Sequence, residues 1–216
     1  MSEQDEILKL YCRLMKEATI RFDIINHTYH NDAKRPPMMV REICYLQFRF
    51  VCEIIALGCL VACREIPGTQ AIRDTYEPGR IIQKLERLNP YFYPQPIEIK
   101  KSEADKTFQL IARPDQNHLG KQELRTLWGR AGDALHRSPM VKMINGPQFD
   151  PEDFSDILDW SAKLTGLLNC HWITLVENKR GMYVSLAAAE TREPAATILD
   201  FDKLGGSVTV ATLWVK

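Results

Sequence analysis

The chain has 216 residues, and its 28 Lys and Arg residues balance 28 Asp and Glu residues, so the formal net charge at pH 7 is zero. That balance excludes the nucleic-acid-binding proteins that rely on an overall basic surplus, and any contact with RNA must come from a local patch. Hydrophobic residues make up 45% of the sequence, and a chain of this length can bury a substantial core without disulfides or structural metals.

Targeting and redox features are few. The first residues are acidic and polar, unlike a secretory signal peptide, and the longest apolar run, residues 54–63, is too short to span a bilayer. Three of the six cysteines, Cys52, Cys59 and Cys63, fall on one helical face and lack the paired spacing of a zinc site. We therefore expect buried thiols in a reducing compartment, a cytoplasmic location, no membrane contact, and neither a metal nor a cofactor.

Helical periodicity dominates the first part of the chain. Apolar residues at spacings of three and four predict an amphipathic helix over residues 3–25, followed by a polar loop over 27–37 that ends in two prolines. The second helix, predicted over 38–65, is apolar on most sides, which is typical of the central helix of a bundle. Within it, Arg49 and Glu53 lie four residues apart and can pair on one face.

Further elements follow in chain order. Residues 69–76 form a short helical stretch, and 80–88 form an amphipathic helix that Asn-Pro ends. The weak alternation of residues 97–113 is compatible with a short hairpin or with a loop. Helices are predicted over 121–137 and over 150–169, the latter starting with an Asp cap and a proline at its first position.

The composition changes near residue 170, where β-rich runs replace helical periodicity. Strands are predicted over residues 172–176, 182–186, 196–201 and 207–215. The predicted fold is therefore α+β and mainly α, with a helical bundle over residues 1–170 and a small C-terminal antiparallel β-sheet over 171–216.

One stretch near the end of a predicted helix can carry chemistry. Arg130, Asp133 and His136 follow one another at steps of three residues. At roughly 100° per residue, each step turns about 60° around the helix, so Asp133 lies between the other two and can orient either. The helix end favours the protonated form of His136, and a histidine exchanges protons near neutral pH. The guanidinium of Arg130 offers a fork of donors to a phosphate.

These three side chains are a workable set for cleaving RNA without a metal ion. One group would activate the ribose 2′-hydroxyl, Arg130 would stabilise charge at phosphorus, and His136 would act as acid or base. The same trio also suits a structural ion-pair cluster at a helix end, and the residues alone leave both interpretations open. At His27 and His30 a solvated polar loop is favoured over metal binding, because no further ligands have suitable spacing.

The stretch 127–139 resembles the Arg-x(4–6)-His motif of the HEPN (higher eukaryotes and prokaryotes nucleotide-binding) superfamily, with five residues between Arg130 and His136. Members of that family fold as a small helical bundle, and their motif lies near the end of a late core helix. Its members tend to carry a polar or charged residue on an earlier core helix that faces the motif, and Arg49 and Glu53 resemble that feature. The resemblance covers residues 1–170 and leaves out the sheet.

The resemblance implies a metal-independent endoribonuclease or an RNA-binding effector of the toxin–antitoxin or antiviral type. Arg130 and His136 would be catalytic, and Asp133 would orient them. Glu53 and Arg49 would be the facing pair. The implied partners are RNA, a second copy in a homodimer whose two motifs line one cleft, and an antitoxin or another protein. The alternative is a non-catalytic module of the same fold that acts by protein contact or small-ligand binding.

Overall fold

The structure is a computed structural model that describes residues 3–31, 35–102, 107–135, 153–176, 180–188, 191–200 and 210–214. Its helices are α1 (Glu3–Asn31), α2 (Pro37–Ala62), a 3-10 helix (Thr69–Ile72), α3 (Pro78–Leu88), α4 (Lys121–Leu135) and α5 (Ser155–Leu168). Its strands are β1 (Gln95–Ser102), β2 (Thr107–Ala112), β3 (Cys170–Val176), β4 (Arg180–Ser185), β5 (Ala195–Asp200) and β6 (Val210–Trp214). The predicted α+β, mainly α class is confirmed.

The six strands form one sheet in the order β2-β1-β3-β4-β5-β6, and every neighbouring pair is antiparallel. The segment that the sequence left as a hairpin or a loop is a hairpin, because β1 pairs with β2 from Ile97 opposite Ala112 to Ser102 opposite Thr107. This hairpin joins the sheet through β1 and β3. Two of the strands therefore come from before residue 170, inside the range that the sequence assigned to the helical bundle.

Helix α2 is the centre of the core. It packs against α1, α3 and α4, and α1 in turn lies against β5. Helices α1 and α2 approach closely at Gly58, where an added Cβ would lie 3.2 Å from the Tyr11 ring. By length and composition α2 could also cross a membrane, but 67% of the apolar window is buried inside the protein. Burial of that extent is what a central core helix requires.

Cys52 and Cys59 on α2 and Cys63 at its end are buried, as their spacing on one helical face predicts. All six are free, and five are buried while Cys170 is partly exposed. Burial raises the pKa of Cys12 and of Cys44 to about 11, and that of Cys63 to about 12. These thiols stay protonated at neutral pH, so they act as small apolar side chains rather than nucleophiles or metal ligands.

The predicted loop over residues 27–37 is wrong in its first part, because α1 continues through His27 and His30 to Asn31. Thr28 is buried, and the Tyr29 ring packs edge-on against Phe154 with the ring centroids 5.9 Å apart. These tertiary contacts stabilise about two further turns of α1, which the polar composition of this segment does not predict.

The start of α5 also differs from the prediction. The helix begins at Ser155, where the carboxylate of Asp153 accepts a hydrogen bond of 2.9 Å from the Ser155 amide. The predicted cap and first-turn proline at residues 150 and 151 lie outside the described residues.

Candidate functional site

Arg130 lies on the exposed side of α4. Its guanidinium carbon is 5.6 Å from the centroid of the Trp160 ring in α5, a ring that also receives Lys163 with its Nζ atom at 5.0 Å. Trp160 is only 6% exposed, so it provides a fixed apolar surface for the cation. Within the described ranges no carboxylate pairs with Arg130, and its hydrogen-bond donors are available to solvent or a ligand.

An ion-pair network that includes Tyr45, whose pKa Arg130 influences, occupies the carboxylate of Asp156. Arg41 binds Asp156 through two hydrogen bonds, of 2.6 Å and 3.0 Å, and also donates to the Asp153 carbonyl. The Tyr45 hydroxyl donates to the same carboxylate at 2.6 Å, as does the Ile157 amide at 2.9 Å. The carboxylate of Asp156 is thus fully used by partners other than Arg130.

The titration of this network follows from its contacts. Burial by itself would raise the pKa of Asp156, but the hydrogen bonds from Arg41 and Tyr45 hold that pKa below its ordinary value. For Tyr45, burial and the adjacent Asp156 carboxylate raise the pKa, whereas the charges of Arg41 and Arg130 oppose the rise. Asp156 is therefore ionised and Tyr45 is a neutral donor at physiological pH.

A second cluster joins α2 to α4. Arg49 and Glu53 form an ion pair with Nε and Oε1 3.4 Å apart, as their spacing predicts. The Trp128 indole N–H donates to Glu53 at 3.2 Å, and the Arg49 guanidinium lies 4.7 Å from the centre of that indole ring. A Cβ added at Gly132 would lie 3.3 Å from Arg49, so the small residue lets α4 approach this arginine.

The structure places four of the five sequence-predicted site residues. Arg49 and Glu53 contact α4 through Trp128, and Arg130 lies on that helix, beside α5 and Tyr45. Asp133 is exposed on α4 and already has an interaction partner. His136 lies outside the described residues, so its proximity to Arg130 stays a prediction.

Four contributors to this region were missed by sequence reasoning: Arg41, Tyr45, Asp156 and Trp160. A signal for Tyr45 exists, because residues 41, 45, 49 and 53 are spaced four apart on a mainly apolar helix and form one polar stripe. Asp156 and Trp160 come from a distant helix. Their pairing with α2 and α4 depends on tertiary packing that no local pattern encodes.

No grouping of three or more His, Cys, Asp or Glu side chains able to hold a metal ion occurs in the part of the chain that the structure describes. His27 and His30 are both exposed on the last turns of α1. Neither a family model, nor a curated protein, nor a solved structure matches the chain. Functional inference for this protein therefore depends on its own side chains.

Proposed function

We propose that the protein is an HEPN-like, metal-independent endoribonuclease that acts in the cytoplasm as a homodimer, in a toxin–antitoxin or antiviral role. The observation that carries the proposal is the exposed guanidinium of Arg130, which no described carboxylate neutralises although an acid lies close by. An exposed guanidinium with free N–H donors can bind a phosphodiester through charge-assisted hydrogen bonds.

The surroundings of Arg130 support phosphate recognition. The guanidinium of Arg130 contacts the buried Trp160 ring, which restricts the side chain before a ligand binds and so lowers the entropy cost of binding. Because Arg41 and Tyr45 occupy the Asp156 carboxylate, that acid cannot compete with a phosphate for the N–H donors of Arg130. Charge-assisted hydrogen bonds of this kind are about twice as strong as neutral ones.

The proposed reaction uses the ribose 2′-hydroxyl as nucleophile. A general base removes its proton, the oxygen attacks phosphorus, and the 5′-oxygen leaves with a proton from the acid. His136 serves as acid or base, Asp133 orients it, and Arg130 stabilises the charge that builds on the non-bridging oxygens. Glu53 and Arg49, as the facing pair, position α4 through Trp128.

Replacing Arg130 with alanine tests this assignment. Loss of one preorganised donor to the transition state is expected to slow cleavage of a single-stranded RNA in EDTA by about a hundredfold. The matched control is Arg87→Ala, which removes an exposed arginine from α3 and should leave the rate unchanged. Wild-type cleavage by Arg130→Ala, or an equal loss in both variants, would argue against a phosphate site at Arg130.

A non-catalytic interaction module is the second candidate, and an exposed apolar stripe on α2 favours it. Leu46 and Leu57 are 36% and 38% exposed, and Met39 is 47% exposed. With the partly exposed Ile43 and Phe50, Met39 and Leu46 follow the alternating steps of four and three that a partner helix covers, and Leu57 lies two turns beyond Phe50, after the charged Glu53. A second copy of this chain is the occupant we assign to the stripe. A protein that associates through α2 but leaves RNA intact would fit this candidate.

A further inference from the structure

Two neighbouring clefts lie at the far end of α2, away from the α4 site. The larger, about 540 Å³, is mainly polar and is lined by Glu3, Gln4, Arg64, Glu65, Gln70, Arg73 and Arg180. The smaller, about 290 Å³, is lined by Leu10, Leu60, Val61, Arg64, Thr69 and Arg73. Arg64 and Arg73 belong to both linings, so the two clefts adjoin each other at these arginines.

The charges of the larger cleft are unequally paired. Arg180 is bound to Glu65 at 3.1 Å. Arg64 contacts Glu6 at 3.1 Å and Glu3 at 4.0 Å. Arg73 is exposed and has no carboxylate partner in the ranges that the structure covers. Of the three arginines that line this cleft, Arg73 is therefore the one without a carboxylate partner among the described residues.

The smaller cleft offers apolar surface beside that charge. Leu60 is 8% exposed, and Leu10 and Val61 are partly exposed. The only uncharged polar side chain of this lining is Thr69, and its hydroxyl is already used by the carbonyls of Arg64 at 3.1 Å and Ile66 at 2.8 Å. The wall of the smaller cleft can therefore pack against a hydrocarbon chain, and it offers no free uncharged hydrogen-bond donor to a ligand.

We propose that these joined clefts bind a small amphipathic carboxylate. The anionic head lies between Arg73 and Arg64, and the apolar body packs on Leu10, Leu60 and Val61. A head with a single negative charge matches Arg73, the one lining arginine without a carboxylate partner among the described residues, whereas the glutamates of the lining would repel a dianionic phosphate more strongly. Volumes of a few hundred Å³ are those of small-molecule sites. This site is separate from the proposed RNA chemistry and does not depend on it.

Titration calorimetry of the full chain with octanoate tests the proposal, with octanol and acetate as probes that lack the charge or the chain. Octanoate is expected to bind, and both comparison ligands are expected to bind at least tenfold more weakly.

Arg73→Ala is expected to weaken octanoate binding by about tenfold, while Arg87→Ala leaves it unchanged. Arg73 is exposed, so its replacement should not alter folding, and urea unfolding of both variants checks this.

Three results would overturn the proposal. The first is an absence of octanoate binding to the wild-type protein. The second is equal affinity for octanol, because the arginines would then contribute nothing to recognition of the carboxylate head group. The third is an octanoate affinity that does not change in the folded Arg73→Ala variant.

Discussion

Replacing Gly166 with alanine is expected to lower the free energy of unfolding by about 2–4 kcal/mol, because the segment before α4 packs its backbone directly on this residue. A Cβ at Gly166 would overlap the main-chain carbonyl oxygen of Asn117. The same contact is held by hydrogen bonds of 3.0 Å from Gln116 to the Gly166 carbonyl and from the Leu119 amide to the Lys163 carbonyl. A carbonyl fixed in this way cannot rotate aside as a flexible side chain would.

Gly129→Ala is the matched control for this prediction. Gly129 is also a helical glycine, on α4, but an added Cβ there would meet nothing within 4 Å. Alanine at an open helical position should stabilise the protein by about 0.5–1 kcal/mol. Urea unfolding monitored by circular dichroism measures both variants. A change at Gly166 no larger than that of an ordinary surface substitution, about 0.5 kcal/mol, would contradict the packing described here.

A buried histidine is expected to make the protein sensitive to acid. His171 is fully buried, with Nδ1 2.9 Å from the Leu168 carbonyl and Nε2 2.8 Å from the Tyr11 hydroxyl. Because a carbonyl can only accept, Nδ1 carries the proton and Nε2 accepts from Tyr11. Protonation would place a second N–H against that hydroxyl donor and create a buried charge. Burial accordingly lowers the pKa of His171 to about 4.

The direction of the pH effect follows from that pKa. The unfolded chain binds a proton at His171 near pH 6.5, and the folded protein does so only near pH 4. The stability that neutral His171 provides is therefore complete above pH 6.5 and is lost as the pH falls towards 4. Across this window the free energy of unfolding should decrease by up to about 3 kcal/mol from this group.

Urea unfolding at several pH values between 7.5 and 4.5 measures this effect. His171→Asn removes the titrating group, so its unfolding free energy should be lower at pH 7.5 but should fall less steeply with acid than that of the wild-type protein. His30→Asn, which replaces an exposed histidine of α1, should keep the wild-type slope. An unchanged slope in His171→Asn would show that other groups cause the acid sensitivity.

Much of the fold follows from local patterns in the sequence. Periods of three and four residues predicted each of the long helices, and β-rich runs predicted strands β3 to β6 within a few residues. The errors occur where tertiary contacts override local composition. The polar sequence around His27 and His30 predicts a loop, yet the contact between Tyr29 and Phe154 keeps α1 helical as far as Asn31.

The candidate site was predictable only in part. The spacing of Arg49 and Glu53 along one helix was sufficient to predict their ion pair, because intrahelical geometry fixes such contacts. The pairing of Arg41 with Asp156 joins residues 115 positions apart, and no sequence spacing encodes it. That pairing matters for Arg130, because it leaves the Asp156 carboxylate unable to compete for the guanidinium.

Cleavage of a 5′-labelled single-stranded RNA in EDTA by the wild-type protein and by His136→Ala is the most direct test of the proposed nuclease. We predict that the wild-type protein nicks the RNA and leaves 2′,3′-cyclic phosphate ends, the product of attack by the ribose 2′-hydroxyl. We predict that His136→Ala loses at least about a hundredfold in rate while it unfolds at the wild-type urea concentration. Equal cleavage by His136→Ala, or no cleavage by the wild-type protein in EDTA, would contradict the proposal.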